Sequence, residues 1–211
     1  MKEKIQPRKQ PSQTRSRERV EKIISATYAL LQEQGLAAVT TVHIAKKAGV
    51  SVGSVYQYFP NKKAIFVSLY NEYLKDIRSI LDDFDNEPYT SMGWEAFFVS
   101  LHSKLSEKEN EQNILPELEQ AFHLYPEMRE VDIDHSNVIS ERIVNFLSRY
   151  DFPGSKEKLT RLSHFIYSIN GGFWDFRSKI SSKYHGEANG WELAAIMGVL
   201  THYRNSLSNN A

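Results

Sequence analysis

Apolar residues recur every three or four positions along almost the whole of this 211-residue chain. That spacing matches the turn of an α-helix, and it limits the fold more than any other feature. Val20, Ile23, Ile24, Thr27, Tyr28, Leu30 and Leu31 mark a first helix over 16–34. Ile65, Phe66, Leu69, Tyr73, Leu74, Ile77, Ile80, Leu81 and Phe84 mark a long fourth one. At about 22 residues it would run roughly 33 Å. Helical periods continue through Trp94 to Leu105, Leu115 to Tyr125, Val138 to Leu147, Leu159 to Phe176 and Trp191 to Leu207. No stretch alternates apolar and polar residues as a half-buried strand does. The expected fold is all-α, with about nine helices.

Punctuation residues divide the front of the chain. Gly35 sits where a left-handed cap closes the first helix. Thr40-Thr41 offers an N-cap to a short second helix that Gly49 ends. Ser51 caps a third short helix over 52–58, Pro60 forbids its simple continuation, and Asn61 caps the fourth. Residues 1–14, with two prolines and scattered basic side chains, read as a disordered basic arm.

The zero net charge hides a partition. Residues 1–63 hold 12 Lys and Arg against 4 Asp and Glu, a net of +8, and residues 64–211 carry the balancing −8. A basic front would be drawn to a polyanion that the back would repel. The chain has no cysteine, which excludes disulfides, thiolate metal sites and cysteine nucleophiles. No apolar run approaches a membrane span, and the basic N-terminus lacks the apolar stretch of a secretory signal. A cytoplasmic location is expected, with no membrane partner. The histidines are dispersed, and no Gly-rich phosphate loop or nucleophile elbow is present. The chain reads as a non-enzyme without a cofactor or metal.

Two short helices joined by Gly49-Val50-Ser51 have the form of a helix-turn-helix. Ile44, Ala45 and Ala48 can face Val55 and Phe59, and small Ala45 permits close approach. The run T-T-V-x-I-A-x-x-A-G-V-S-V-G-S-V-Y-x-Y-F-P-N-K, Thr40 to Lys62, resembles the DNA-binding signature of the TetR family of transcriptional regulators. His43 and Lys63 depart from that signature, where acidic residues are common. The resemblance implies DNA contacts at Thr41, Ser51, Val52, Gly53, Ser54, Tyr56, Gln57, Tyr58 and Lys62. Chemistry supports the set. Gln57 could pair with an adenine edge, and a tyrosine hydroxyl can donate to a phosphate. Tyr56 could instead pack half-buried against the first helix, and Phe59 reads as core. Arg8, Lys9, Arg15, Arg17 and Arg19 would either reach a minor groove or add only nonspecific attraction.

The resemblance further implies a helix-turn-helix domain over 15–62 and a ligand-binding and dimerisation domain over 63–211. It implies a homodimeric repressor on a pseudo-palindromic operator of double-stranded DNA, released by a small effector. An activator of the same fold, or a helical module that binds a protein partner, are the other readings. Phe173, Trp191, Ala194, Ala195 and Gly198 are candidates for the dimer interface, or for an intramolecular core. Phe122, Phe165, Trp174 and Asp175 are candidates for ligand contact. Asp175 could select a cation or pair with a nearby base. The aromatic composition suggests an apolar or amphipathic effector.

Overall fold

The computed structural model describes residues 14–112, 115–126 and 128–208. Among these, nine α-helices and no strand occur: α1 (Thr14–Gln34), α2 (Thr41–Ala48), α3 (Val52–Tyr58), α4 (Lys62–Asp83), α5 (Trp94–Gln112), α6 (Leu115–Leu124), α7 (Met128–Arg149), α8 (Lys156–Ser178) and α9 (His185–Ser208). The arm expected at 1–14 lies outside the described residues, apart from Thr14, which opens α1.

The front helices end where local chemistry ends them. Gly49 takes φ 66° and ψ 34°, a left-handed conformation that costs glycine little, and it closes α2. Thr40 accepts the His43 N–H at 3.1 Å, Ser51 accepts the Ser54 N–H at 3.0 Å, and Asn61 accepts the Ala64 N–H at 2.9 Å. The back helices outrun their apolar periods. Helix α5 continues through the polar stretch after Leu105, and α9 begins at His185 rather than Trp191. Packing favours both extensions, since Ser106, Glu109 and Ala188 are buried within them. The turn-favouring pairs Asn170-Gly171 and Asn189-Gly190 lie inside α8 and α9.

The chain divides into two compact units, Met1–Lys75 with Asn113–Val131, and Asp76–Gln112 with Asp132–Ala211. In the first, Ile23, Leu31, Ile44, Val55, Phe59, Ile65 and Phe66 are fully buried. Helix α6 returns to this unit, with Phe122 edge-on to Tyr70 at 4.9 Å and Tyr125 near Phe66 at 5.6 Å. The second unit is built on an aromatic centre. Phe97 lies 5.3 Å from Phe84, 5.0 Å from Phe146 and 5.1 Å from Tyr150. Leu159, Leu162, Ile166 and Leu200 complete its apolar cluster.

A polar network ties α5, α8 and α9 inside the second unit. Glu109 accepts from Trp174 Nε1 at 3.0 Å and from Arg177 at 3.3 Å. Arg177 also donates to Asn110 Oδ1 at 2.7 Å. Glu192 accepts from Asn170 at 3.0 Å and meets His102 Nε2 at 3.0 Å. Burial, and then the like charge of Glu192, push the Glu109 carboxyl up to about 7. Between its ordinary value near 4.5 and about 7, the folded chain holds a proton that the unfolded chain has released. Stability therefore falls as pH rises through that window and stays lower above it, by at most about 3 kcal/mol. In urea unfolding from pH 5 to 8, Glu109→Gln removes this slope, so that the stability of the wild type relative to the variant declines with pH. A difference that does not change with pH would refute the assignment.

Candidate functional site

Helix α3 is a short, split surface. Its inward side chains are Val55 and Tyr58, with Phe59 just beyond its end, and none is more than 2% exposed. Ile44 and Ala45 of α2 are buried in the same unit. Outward stand Val52, Gly53, Tyr56 and Gln57, with Ser51 at the N-cap, all exposed. Tyr56 is 43% exposed, so it does not pack half-buried against α1. Its hydroxyl lies 3.3 Å from Thr41 Oγ1, which joins the start of α2 to α3 through two polar tips. A side chain added at Gly53 would meet only Ser51 Oγ, at 3.8 Å, so nothing in the fold fills that space. Lys62 lies half-buried at the start of α4, with its ammonium 5.8 Å from the Phe66 ring centroid.

One of the nine residues departs from this surface. Tyr58 is 2% exposed and belongs to the core, because positions 55, 58 and 59 share the inward side of the turn. A side-chain contact from Tyr58 to DNA is therefore corrected to a packing role. Phe59, read as core, is fully buried. Sequence reasoning passed over Val42, which is 58% exposed beside Thr41. Its place in the first turn of α2, off the Ile44–Ala45 stripe, was the available signal.

Electrostatics suit an anion at this face. Lys46 is exposed, and Lys47 is held at 2.6 Å by Glu33 of α1. His43 Nδ1 lies 2.8 Å from the Ala38 carbonyl oxygen, so Nδ1 donates.

The residues expected at a ligand do not form a cluster. Phe122 packs on Tyr70 in the first unit. In the second, Trp174 is tied to Glu109, and Asp175 pairs with Lys179 at 2.5 Å, the surface pairing rather than a cation pocket. Phe165 is 56% exposed and shares the outer stripe of α8 with Phe176. Phe173, expected at a dimer interface, is 8% exposed and covered within its own unit, with the Arg177 guanidinium 5.7 Å from its ring centroid. Trp191 is 58% exposed, and Ala194, Ala195 and Gly198 are exposed along the same side of α9.

Residues 23–69 match the model of bacterial regulatory proteins of the tetR family. A fatty acid metabolism regulator protein of Bacillus subtilis (strain 168) is 27% identical over 129 residues, 61% of this chain and 62% of its own length. A nucleoid occlusion factor, SlmA, of Haemophilus ducreyi is 43% identical over 54 residues, 25% of this chain and 27% of its own. The chain thus spans less than two thirds of either relative. A TetR-family transcriptional regulator from Streptomyces coelicolor shares the fold at a TM-score of 0.67 and 11% identity, over 89% of this chain and 97% of that one.

The split of α3 sets two neighbouring tyrosines apart. Tyr58→Ala is expected to cost about 3–5 kcal/mol of stability, as aromatic truncation in a core does. Tyr56→Ala is expected to stay within about 0.5 kcal/mol. Urea unfolding at neutral pH measures both.

Proposed function

We propose that this chain, which belongs to the tetR family of bacterial regulatory proteins, is a cytoplasmic, homodimeric repressor that reads an operator in double-stranded DNA through α3. The observation that carries this reading is the division of α3. Buried anchors fix the helix, and every outward side chain is left without packing duty. At seven residues, α3 is about 10 Å long and fits a major groove about 12 Å wide. Gln57 presents a donor and an acceptor to an adenine edge, and Val52 an apolar tip to a thymine methyl. The Tyr56–Thr41 hydroxyl pair and Lys62 take backbone phosphates. Open space over Gly53 lets the groove wall come close to the backbone. The two curated relatives carry different roles, so repression is the reading that the family resemblance favours, with activation by the same fold as the alternative.

Dimerisation is assigned to the outer faces of α8 and α9. Phe165, Phe176 and Trp191 are exposed there, with Phe176 and Trp191 ring centroids 6.2 Å apart. Ala194, Ala195 and Gly198 leave the backbone of α9 open for a second helix. Two such helices from each chain make a four-helix bundle, and two-fold symmetry predicts a pseudo-palindromic operator. The effector is a small molecule bound by the second unit. Among the described residues, no helix is long and apolar enough to cross a membrane.

Anisotropy of a labelled duplex taken from upstream of the chain's own gene, beside a scrambled duplex, tests the central reading. Gln57→Ala is expected to cost about 1–3 kcal/mol per lost base contact and to relax preference at that base pair. Lys62→Ala is expected to weaken both duplexes alike and to reduce the salt slope by about one. Unchanged sequence preference in Gln57→Ala would remove the base-reading role. Trp191→Glu is expected to shift sedimentation from dimer to monomer at micromolar concentration, and an unaltered dimer would move the interface elsewhere.

A further inference from the structure

Glu109, Glu192 and Arg177 are charged side chains in the interior of the second unit, none more than 7% exposed. They come from three helices, α5, α9 and α8. Asn170 of α8 donates to Glu192 at 3.0 Å and also reaches Glu109 with a hydrogen bond, so one amide joins the two acids. Trp174 Nε1 and Arg177 complete the Glu109 side, at 3.0 Å and 3.3 Å. His102 Nε2, 3.0 Å from Glu192 Oε2, completes the other. Neighbouring surface charges are engaged outside the cluster, Lys108 with Asp76 at 2.9 Å and Lys179 with Asp175 at 2.5 Å.

The charges inside do not balance. Two buried carboxylates face one guanidinium, and a surplus buried charge is costly. One proton removes it, and the geometry restricts where that proton can sit. His185 Nδ1 lies 3.2 Å from Arg177 Nη2, and a guanidinium only donates, so Nδ1 accepts. A proton there would break this contact and set two cations face to face. A second proton on His102 would add a buried charge, whereas a proton on Glu109 takes one away. Burial and the Glu192 charge raise the Glu109 carboxyl accordingly. The cluster also lies directly behind the exposed aromatic stripe. Phe176 precedes Arg177 in α8, Trp191 precedes Glu192 in α9, and the two rings lie 6.2 Å apart. With both acids charged, repulsion drives α9 from α5 at the turn that carries Trp191. With Glu109 neutral, the repulsion is gone, and the carboxyl still accepts from Trp174 and Arg177.

We propose that this cluster is a one-proton switch that couples self-association of the chain to pH, which rests on the dimer reading above. A second chain laid over Phe176 and Trp191 shields the cluster further from water, and that favours the protonated carboxyl. Below about 7 the free chain and the dimer both hold the proton, so the dissociation constant is level there. Above it the free chain releases a proton that the dimer retains, and association weakens as pH rises. The proton is thus a ligand of the second unit in its own right.

Sedimentation equilibrium of the full chain from pH 6 to 8.5 at constant ionic strength tests the switch. The Trp174 indole N–H resonance, identified by its loss in Trp174→Phe, reports the proton directly because that group donates to Glu109. The wild-type dissociation constant is expected to rise about fivefold or more between the two ends, and the indole resonance to titrate with a midpoint of about 7 or above. Glu109→Gln, neutral and of nearly the same size, is expected to keep the tight constant at every pH and to lose the titration. His102→Gln is expected to keep the pH dependence. Should Glu109→Gln fail to fold, as circular dichroism would show, Glu192→Gln removes the repelling charge and is expected to level the pH dependence likewise. A pH dependence that survives in Glu109→Gln, or one that only His102→Gln abolishes, overturns the switch. A dimer indifferent to pH removes the switch and leaves the dimer. A monomer at every pH removes the dimer reading and the switch with it.

Discussion

The burial of Val55, Tyr58 and Phe59 is the constraint on which the front of this protein depends. Helix α3 is only seven residues long and contains Gly, Ser and two β-branched residues, so it would not hold together in water. Each buried anchor contributes roughly 1.5–3 kcal/mol of transfer free energy, enough to impose a conformation that local preference does not. Since packing and the Ser51 cap fix the helix, its outward side chains past the cap are not needed to bury apolar surface. Val52, Gly53, Tyr56 and Gln57 are thus open to selection by whatever lies against them. The turn glycine serves the same end, because its left-handed backbone lets α2 and α3 meet over small Ala45.

The second unit handles polarity in two ways. Around Glu109, every charge found a partner from another helix, and the result is a cross-link among α5, α8 and α9. Such a cluster holds register more than it stabilises, because desolvation offsets much of the attraction. Where α7 meets the end of α4, Arg142 and Arg149 pair with Asp82 and Asp85, although Arg142 Nε stays buried without a partner.

What could be read from the sequence was what local chemistry decides. Gly49, Thr40, Ser51 and Asn61 each act within a single turn, and the helix ends they predict are those observed. Where packing between distant helices decides, the reading failed. The starts of α7 and α9 and the end of α5 carry polar residues or glycine, and single buried positions within them, Met128 and His135, Ala188, and Ser106 and Glu109, pack these ends onto the fold. Tyr58 was drawn into the surface set by its flat, polar neighbours, although its spacing from Val55 already placed it inward. Glu109 follows Phe98, Leu101 and Leu105 in a helical register, so a charge on an apolar stripe was visible, but its partners on α8 and α9 were not.

The exposed aromatic stripe of α8 and α9 has a consequence for dosage. If two chains must join along Phe165, Phe176 and Trp191 before either grips a duplex, the active species grows with the square of free chain when chain is scarce. Doubling synthesis then raises it about fourfold, and halving synthesis lowers it by the same factor. A response that steep would come from the apolar stripe alone, before any small molecule is bound, and would make the chain a threshold counter of its own abundance.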